Sequence, residues 1–409
     1  WTDGRYFLQA EEELSTSCVE LYKMGQENVP TTFEYIENEV PSGSKVGFDG
    51  RTISAAMGAI LELNLAKKNI TISYEDDLLN EIWEDRPALS DVKAFLLDIK
   101  YSGEDFTSKI ARVREWMREN NTTTHILTSL DDIAWLFNIR GGDIKYNPVV
   151  LSYAVITLDK AILFIDENKL NDEIKTSFGE EVVEIKNYFE IYEFVKTINK
   201  EEIVLIDSNK ISYSILKNIP AGVKVVNGMN PSTKFKAQKN SVEIENTKKA
   251  HIRDGVAVTK FMYWLKNNIG KIEITELSAA DKITELRREQ GKFIEESFGT
   301  IAGYASNGAI IHYSVTKESN ITLKDRGLFL LDSGGQYFDG TTDITRTFAL
   351  GELTEEEKYH FTTVARAMIR LSDVKFLHGV NGYYLDILAR GILWNEGLNY
   401  NHGTGHGVG

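Results

Sequence analysis

The sequence is poor in cysteine, in cationic residues and in long apolar runs. Its one cysteine, Cys18, excludes an internal disulfide framework and favours a reducing compartment. No apolar run approaches the ~20 residues that a membrane-spanning helix requires. Lysine and arginine number 46 against 61 acidic residues, and the net charge of −15 argues against a general nucleic-acid binder.

The length and the pattern of the chain predict several domains. A chain of 409 residues exceeds one ordinary domain, and 42% hydrophobic and 26% charged residues are typical of globular proteins. Helical and strand patterns alternate through the first half, which predicts an α/β sheet covered by helices. We expect a first α/β domain over residues 1–82, a second over 83–236 and a third domain over 237–409.

Capping signals predict the start of several helices. We expect helices over residues 53–68 and 106–119 from their apolar periodicity. Ser241 is predicted to cap a long helix, and Thr275 is predicted to cap a helix reaching about Phe298. Thr354 and Glu357 have the spacing of a capping box that opens a helix to about Phe376.

The chemistry is concentrated in residues 328–347. An apolar run reads as a buried strand that ends on Asp332, and Asp339-Gly340 favours a hairpin reversal. The β-branched run 341–347 predicts a second strand that carries Asp343. Two acids at one end of paired strands repel each other unless a pKa rises or a cation binds. The hairpin alone leaves two interpretations open. Either Asp332 and Asp343 bind a metal, or Asp332 caps the end of a strand and Asp343 is a solvated edge residue.

The end of the chain supplies imidazoles. His402 and His406 lie four positions apart, and the glycines between and around them argue against a helix and for an extended or looped stretch over 401–409. Neutral imidazole is the commonest metal ligand, and the alternative is a glycine-rich surface turn. A third segment, 306–313, ends on His312, for which a core or strand-end histidine is favoured when the segment is taken alone.

Together, the segments 306–313, 328–347 and 401–409 resemble the Xaa-Pro aminopeptidases (aminopeptidase P), in motif order and in spacing. These belong to the pita-bread metallopeptidases, with prolidase and creatinase. Residues 130–143 and 248–257 resemble the long, three-domain branch. The resemblance implies one or two creatinase-N-type α/β domains, followed by a pita-bread catalytic domain of mixed α/β and α+β type.

The resemblance also implies roles for single residues. Asp332 would bind one metal, Asp343 would bridge two, and His406 would bind the other. His312 and His402 would contact the substrate carbonyl and the developing oxyanion. Two divalent ions, manganese by family expectation and otherwise cobalt or zinc, would share a hydroxide that attacks the bond between a first residue and a following proline.

Further expectations concern the whole protein. The resemblance places the general base and two glutamate ligands beyond Gly409, so the 409-residue chain alone is expected to be inactive. It also implies a homodimer in the cytoplasm that acts on peptides with proline second, with neither nucleic acid nor a membrane as partner. Prolidase, which cleaves dipeptides, is the first alternative. A catalytically inactive pita-bread module that binds peptides is the alternative from another class; creatinase is disfavoured because it lacks the acid pair.

Overall fold

The computed structural model describes residues 1–179 and 182–407. The helices α1 to α14 span, in order, Phe7–Leu14, Thr32–Glu39, Ala55–Ala66, Ile99–Ser102, Phe106–Glu119, Leu130–Leu136, Asp172–Phe178, Ile191–Phe194, Tyr213–Asn218, Pro231–Ala237, Ser241–Asn268, Glu276–Arg288, Glu355–Ser372 and Gly382–Trp394. The strands β1 to β16 span Lys45–Gly47, Thr71–Ser73, Phe95–Leu96, Thr124–Leu127, Ile139–Arg140, Ser152–Thr157, Ala161–Ile165, Glu184–Lys186, Ile203–Ile206, Lys224–Asn227, Phe293–Glu296, Ile301–Tyr304, Leu328–Ser333, Gly335–Tyr337, Gly340–Thr341 and Ile344–Ala349.

The chain divides into two compact units. One consists of Phe33–Lys248, and the other combines Trp1–Thr32 with Lys249–Gly409. We call the first the sheet unit and the second the hairpin unit. The expected division into three domains, with boundaries after residues 82 and 236, stays a prediction.

The sheet unit is built on a six-stranded mixed sheet in the order β10-β9-β4-β6-β7-β8. Strands β4, β9 and β10 run parallel, whereas β6 runs antiparallel to both β4 and β7. Alternate residues of the central strands enter different hydrophobic clusters: one contains Leu127 and Leu163, and the other contains Ile126 and Phe164. Because both faces are buried, the central strands read as continuous apolar runs. The predicted α/β architecture is confirmed.

The hairpin unit holds two three-stranded antiparallel sheets, β11-β14-β15 and β12-β13-β16. Its main core joins α11 and α12 to the second sheet through apolar side chains, among them Phe261, Ile283, Phe329, Leu331 and Phe348. A small separate cluster of Ala367, Ala389 and Leu393 lies between α13 and α14. The second sheet carries the acid pair, so this core fixes the strands on which the candidate site depends.

The helix starts follow the capping chemistry, with one correction. Thr275 and Thr354 cap their helices as predicted, and the capping box expected at Thr354 is present. Thr275 also forms a capping box, with Ser278, which was not predicted. The cap of α11 is Asn240 and not Ser241, because the Asn240 side chain accepts from the backbone of Val242 and Glu243. Helix α12 ends at Arg288 rather than near Phe298, since Gly291 and Lys292 adopt positive φ angles of 73° and 59° before β11 begins.

The predicted strand over residues 341–347 is wrong in one respect, because it is interrupted at Thr342 and Asp343. Residues 340–341 pair with β14 in the first sheet, and residues 344–349 pair with β13 in the second. The chain therefore passes from one sheet to the other at Asp343. Strand β13 is also not buried throughout: Phe329, Leu331 and Ser333 are buried, and the residues between them are half-buried.

Within the described part of the chain, none of the helices combines the length and the apolar character that crossing a membrane requires.

Candidate active site

The acid pair lies where β13 and β16 end side by side. Asp332 of β13 is directly opposite Thr345 of β16, and Ser333 is opposite Ile344. Asp343 precedes β16 by one residue, which puts it two positions from Thr345. Asp332 and Asp343 lie close enough for the charge of Asp343 to act on Asp332.

The electrostatics of Asp332 fit a site for a cation. Burial raises the pKa of Asp332, and the charge of Asp343 raises it further, while the neighbouring Thr345 and His312 act in the opposite direction. The Oδ1 atom of Asp332 is buried and has no hydrogen-bond partner. A buried carboxylate oxygen without a donor is costly, and a bound cation would remove that cost.

His406 joins the acid pair through Asp343. Its Nε2 lies 3.2 Å from Oδ2 of Asp343. Its Nδ1 lies 2.9 Å from the carbonyl oxygen of Gly407, which can only accept, so Nδ1 carries the proton. A neutral His406 would therefore turn an unprotonated Nε2 toward a carboxylate. A proton or a metal cation must therefore lie between Nε2 and the Asp343 carboxylate. Both groups can bind either one.

The three predicted metal ligands are linked but do not close around one point. Asp343 contacts both Asp332 and His406. Over residues 1–179 and 182–407, no group of three or more His, Cys, Asp or Glu side chains has the arrangement of a metal site. The Asp343 and His406 side chains are 41% and 76% exposed. The three side chains thus lie near one another, and those of Asp343 and His406 are open to solvent.

His402 is held near this edge by its backbone. Arg390 of α14 donates to the carbonyl oxygens of Tyr400 and His402, at 2.7 and 3.0 Å, and pairs with Asp386 at 2.7 Å. The hydrogen bond from Arg390 lowers the pKa of Asp386, and Thr404 also donates to Asp386. Residues 401–407 are irregular, as predicted, while Val408 and Gly409 of the same motif lie outside the described residues. These hydrogen bonds of Arg390 and Asp386 fix the loop that carries His402 and His406.

The same loop forms part of the wall of a cavity of about 930 Å³. The lining combines side chains of α13, α14 and their connection with residues of the glycine-rich loop, and includes Leu371, Phe376, Tyr383, Gly403, Gly405 and His406.

His312 lies in a loop held by a buried carboxylate that the sequence analysis missed. Glu276, the first residue of α12, is fully buried. It accepts from the backbone N–H of Tyr304 at 2.7 Å, from the Asn307 amide at 3.1 Å and from the Tyr313 hydroxyl at 3.0 Å. Tyr313 follows His312 in sequence, so this carboxylate anchors the histidine loop. In sequence, Glu276 looks like an ordinary first-turn acid of a helix.

The turn between the two acids is also anchored, at Asp339. Arg253 donates to both carboxylate oxygens of Asp339, at 2.8 and 2.6 Å, and Lys292 donates at 2.9 Å. Next to it, the buried Asp254 pairs with Arg287 at 2.6 Å and accepts from the hydroxyl of Tyr337 at 2.8 Å. Helix α11 thereby fixes the hairpin that presents Asp332 and Asp343.

Asp339→Asn is expected to lower the free energy of unfolding by about 2 kcal/mol at neutral pH, because it removes the charge that faces Arg253 and Lys292. This loss is smaller than for a fully buried ion pair, since the Lys292 side chain is 43% exposed. Burial alone would raise the pKa of Asp339, but the two cations outweigh it and the pKa is lowered. This stabilisation is present above the unfolded pKa of ~3.9 and is lost as pH falls through the folded pKa. Urea unfolding at pH 7 and pH 3 measures it. The exposed Asp373→Asn is the control, and equal stability of Asp339→Asn and wild type at pH 7 would contradict the anchor.

Comparisons with known proteins identify the families that the two parts of the chain resemble. Residues 85–243 match the creatinase/prolidase N-terminal domain, and residues 245–409 match metallopeptidase family M24. Proteins named probable Xaa-Pro aminopeptidase P are 38% identical in Leptosphaeria maculans and 39% identical in Aspergillus fumigatus; each match covers all of this chain, and 69% and 64% of the relative. The chain thus spans about two thirds of the length of these relatives.

Solved structures give the same answer. The X-prolyl aminopeptidase from Caenorhabditis elegans, described as a cytosolic enzyme with a di-nuclear active site, superposes with a TM-score of 0.95 at 34% identity. The match covers all of this chain and 68% of that one. A Xaa-Pro dipeptidase from Bacillus anthracis, at 20% identity and a TM-score of 0.59 over 75% of this chain and 82% of its own, shares the fold alone.

A creatinase-type N-terminal domain, a pita-bread domain and an acid pair at paired strand ends define a metallopeptidase of family M24. Within that class, the chain belongs to the Xaa-Pro aminopeptidase P family.

Proposed function

We propose that the whole protein removes the N-terminal residue from peptides with proline in second position. The observation that carries the proposal is the buried, unpartnered oxygen of Asp332 beside Asp343, with His406 on the other side of Asp343. Relatives at 38 and 39% identity carry the name of this activity.

The positions of three side chains support the proposed metal ligands. Asp332 would hold one ion, His406 the other, and Asp343, which contacts both residues, would bridge them. Two divalent ions would polarise the scissile carbonyl and supply a water nucleophile near neutral pH. The acid-rich donor set favours a hard ion, so manganese is proposed, with cobalt or zinc as the alternatives.

His312 and His402 are proposed as catalytic residues that contact the substrate carbonyl and the developing oxyanion. Proline's nitrogen lacks a hydrogen, so a site that selects it reads the ring shape, the carbonyl group and the free amino terminus. An imidazole N–H directed at the carbonyl stabilises the negative charge that develops on its oxygen. Asp386 and Arg390 hold His402 through its backbone, and Glu276 holds His312 through Tyr313. The cavity beside His406 gives a peptide room to lie along the loop.

The proposed activity is tested with the protein at its full natural length, stripped of metal and then supplied with manganese, cobalt or zinc. Release of the first residue from an Xaa-Pro-Xaa tripeptide, with the Xaa-Ala-Xaa tripeptide uncut, is the expected result. Cleavage of Xaa-Pro dipeptides alone would replace the proposal with a prolidase-type dipeptidase. Peptide binding without turnover under any metal would favour the inactive module.

Two properties of the whole protein are proposed from its relatives. We expect a homodimer, measured as mass by light scattering during size exclusion. A cytosolic location follows the description of the C. elegans enzyme. A monomer at micromolar concentration would overturn the first of these without touching the activity.

A further inference from the structure

The segment that opens the chain lies against the candidate site within the hairpin unit. The hydroxyl of Tyr6 is 2.9 Å from Nδ1 of His312. The two rings meet edge to face, with centroids 5.4 Å apart and planes at 84°. A phenol and an imidazole in this arrangement have one hydrogen bond between them and little freedom to rotate apart.

The neighbouring residues show that this approach is close. A Cβ atom on Gly4 would lie 2.2 Å from the backbone oxygen of Asn401, so only glycine lets the segment pack against the residue that precedes His402. Asp3 binds Arg5 through two hydrogen bonds, at 2.8 and 2.7 Å, which fixes the turn before Tyr6. The opening segment therefore touches the residue preceding His402 as well as His312 itself.

The hydrogen bond has a chemical consequence for His312. A neutral imidazole carries one proton, on either Nδ1 or Nε2, and a phenol hydroxyl can donate to an unprotonated Nδ1 or accept from a protonated one. A phenol that donates to Nδ1 leaves the proton on Nε2. Nε2–H is then the only donor that His312 can offer to a substrate oxygen. On the other side of the loop, the bond of Tyr313 to Glu276 keeps the backbone in place.

We propose that Tyr6 is a positioning residue for His312, which holds the imidazole in the Nε2–H tautomer and aims that donor into the site. The proposal rests on the proposed function for its effect on turnover, but not for its effect on the tautomer. It assigns a role in the reaction to a residue more than 300 positions from the histidine that it orients.

The test is Tyr6→Phe in the full-length protein, which removes only the hydroxyl. Nitrogen-15 spectra of histidine-labelled protein are expected to show the Nε2–H form of His312 in wild type and a mixture of tautomers in the variant. The kcat for an Xaa-Pro peptide should fall about tenfold, with KM within twofold and metal content unchanged. In a His312→Ala background, Tyr6→Phe should have no further effect.

Tyr359→Phe is the matched control, since that hydroxyl bonds Glu396 between α13 and the end of α14. It should leave the His312 spectrum and kcat unchanged. An Nδ1–H tautomer in wild type, or an unchanged tautomer in Tyr6→Phe, would overturn the proposal. If Tyr6→Phe does not fold, the wild-type spectrum decides alone. A shifted tautomer in a protein that cleaves no Xaa-Pro peptide would refute the proposed function and leave the positioning role standing.

Discussion

Asp343→Ala is expected to lose both metals and, with them, turnover of Xaa-Pro peptides by on the order of 10³-fold or more. Asp343 is the side chain that contacts both Asp332 and His406, so its removal takes a ligand from each proposed ion. Elemental analysis after gel filtration measures the metal, and a peptide-release assay measures turnover. Full metal content in the variant would refute the bridging role.

The same variant should remain folded without metal. Burial and the Asp343 charge raise the pKa of Asp332. Asp332 therefore stabilises the folded state at pH values below its unfolded pKa, and this contribution is lost as pH rises through its folded pKa. Removing Asp343 relieves part of this repulsion. The melting temperature of the chelator-treated variant near pH 7 should therefore equal or exceed that of chelator-treated wild type, and a lower value would point to misfolding. Asp373→Ala, at an exposed position, is the control for both measurements.

His312→Ala is expected to lower kcat by roughly 10²–10³-fold, because a preorganised donor to the developing oxyanion contributes about 3 kcal/mol. The metals should stay at wild-type content, since His312 is not among the proposed ligands. Single-turnover kinetics with an Xaa-Pro substrate separate the chemical step from binding. Loss of metal in this variant would show that the role assigned to His312 is wrong.

His402→Ala provides a comparison within the same site. Its backbone carbonyl accepts from Arg390, and that hydrogen bond survives the substitution. A loss of kcat at His402 with the loop intact would therefore report on the imidazole alone. If His312→Ala and His402→Ala both leave kcat unchanged, neither histidine contacts the reacting carbonyl.

Local sequence chemistry was sufficient for much of the fold. Helix α5, predicted over 106–119, is observed as Phe106–Glu119, and the cap at Thr275 and the capping box at Thr354 form as expected. These signals work because a cap and an apolar stripe act within one or two turns of the helix. The break at Thr342–Asp343 escaped prediction because it arises from two sheets that meet there. The alternation of side chains along one strand does not show where two sheets meet.

The candidate site, too, was predicted only in part. The family resemblance of the segments that carry the acids and imidazoles was enough to nominate Asp332, Asp343 and His406. Tyr6, Glu276 and Arg390 were not found, because each acts on a segment that its own neighbours in sequence do not reveal. Arg390 looks like half of an ordinary i,i+4 ion pair with Asp386, and only the structure shows its bonds to the carbonyls of the histidine loop.

The central claim is that Asp332, Asp343 and His406 bind a common pair of cations. Anomalous diffraction at the manganese edge, from crystals of the full-length protein loaded with manganese, tests it most directly. The account predicts two peaks, with Asp332 on one, His406 on the other and Asp343 on both. Peaks at another place, or an Asp343 side chain that touches neither ion, would contradict it.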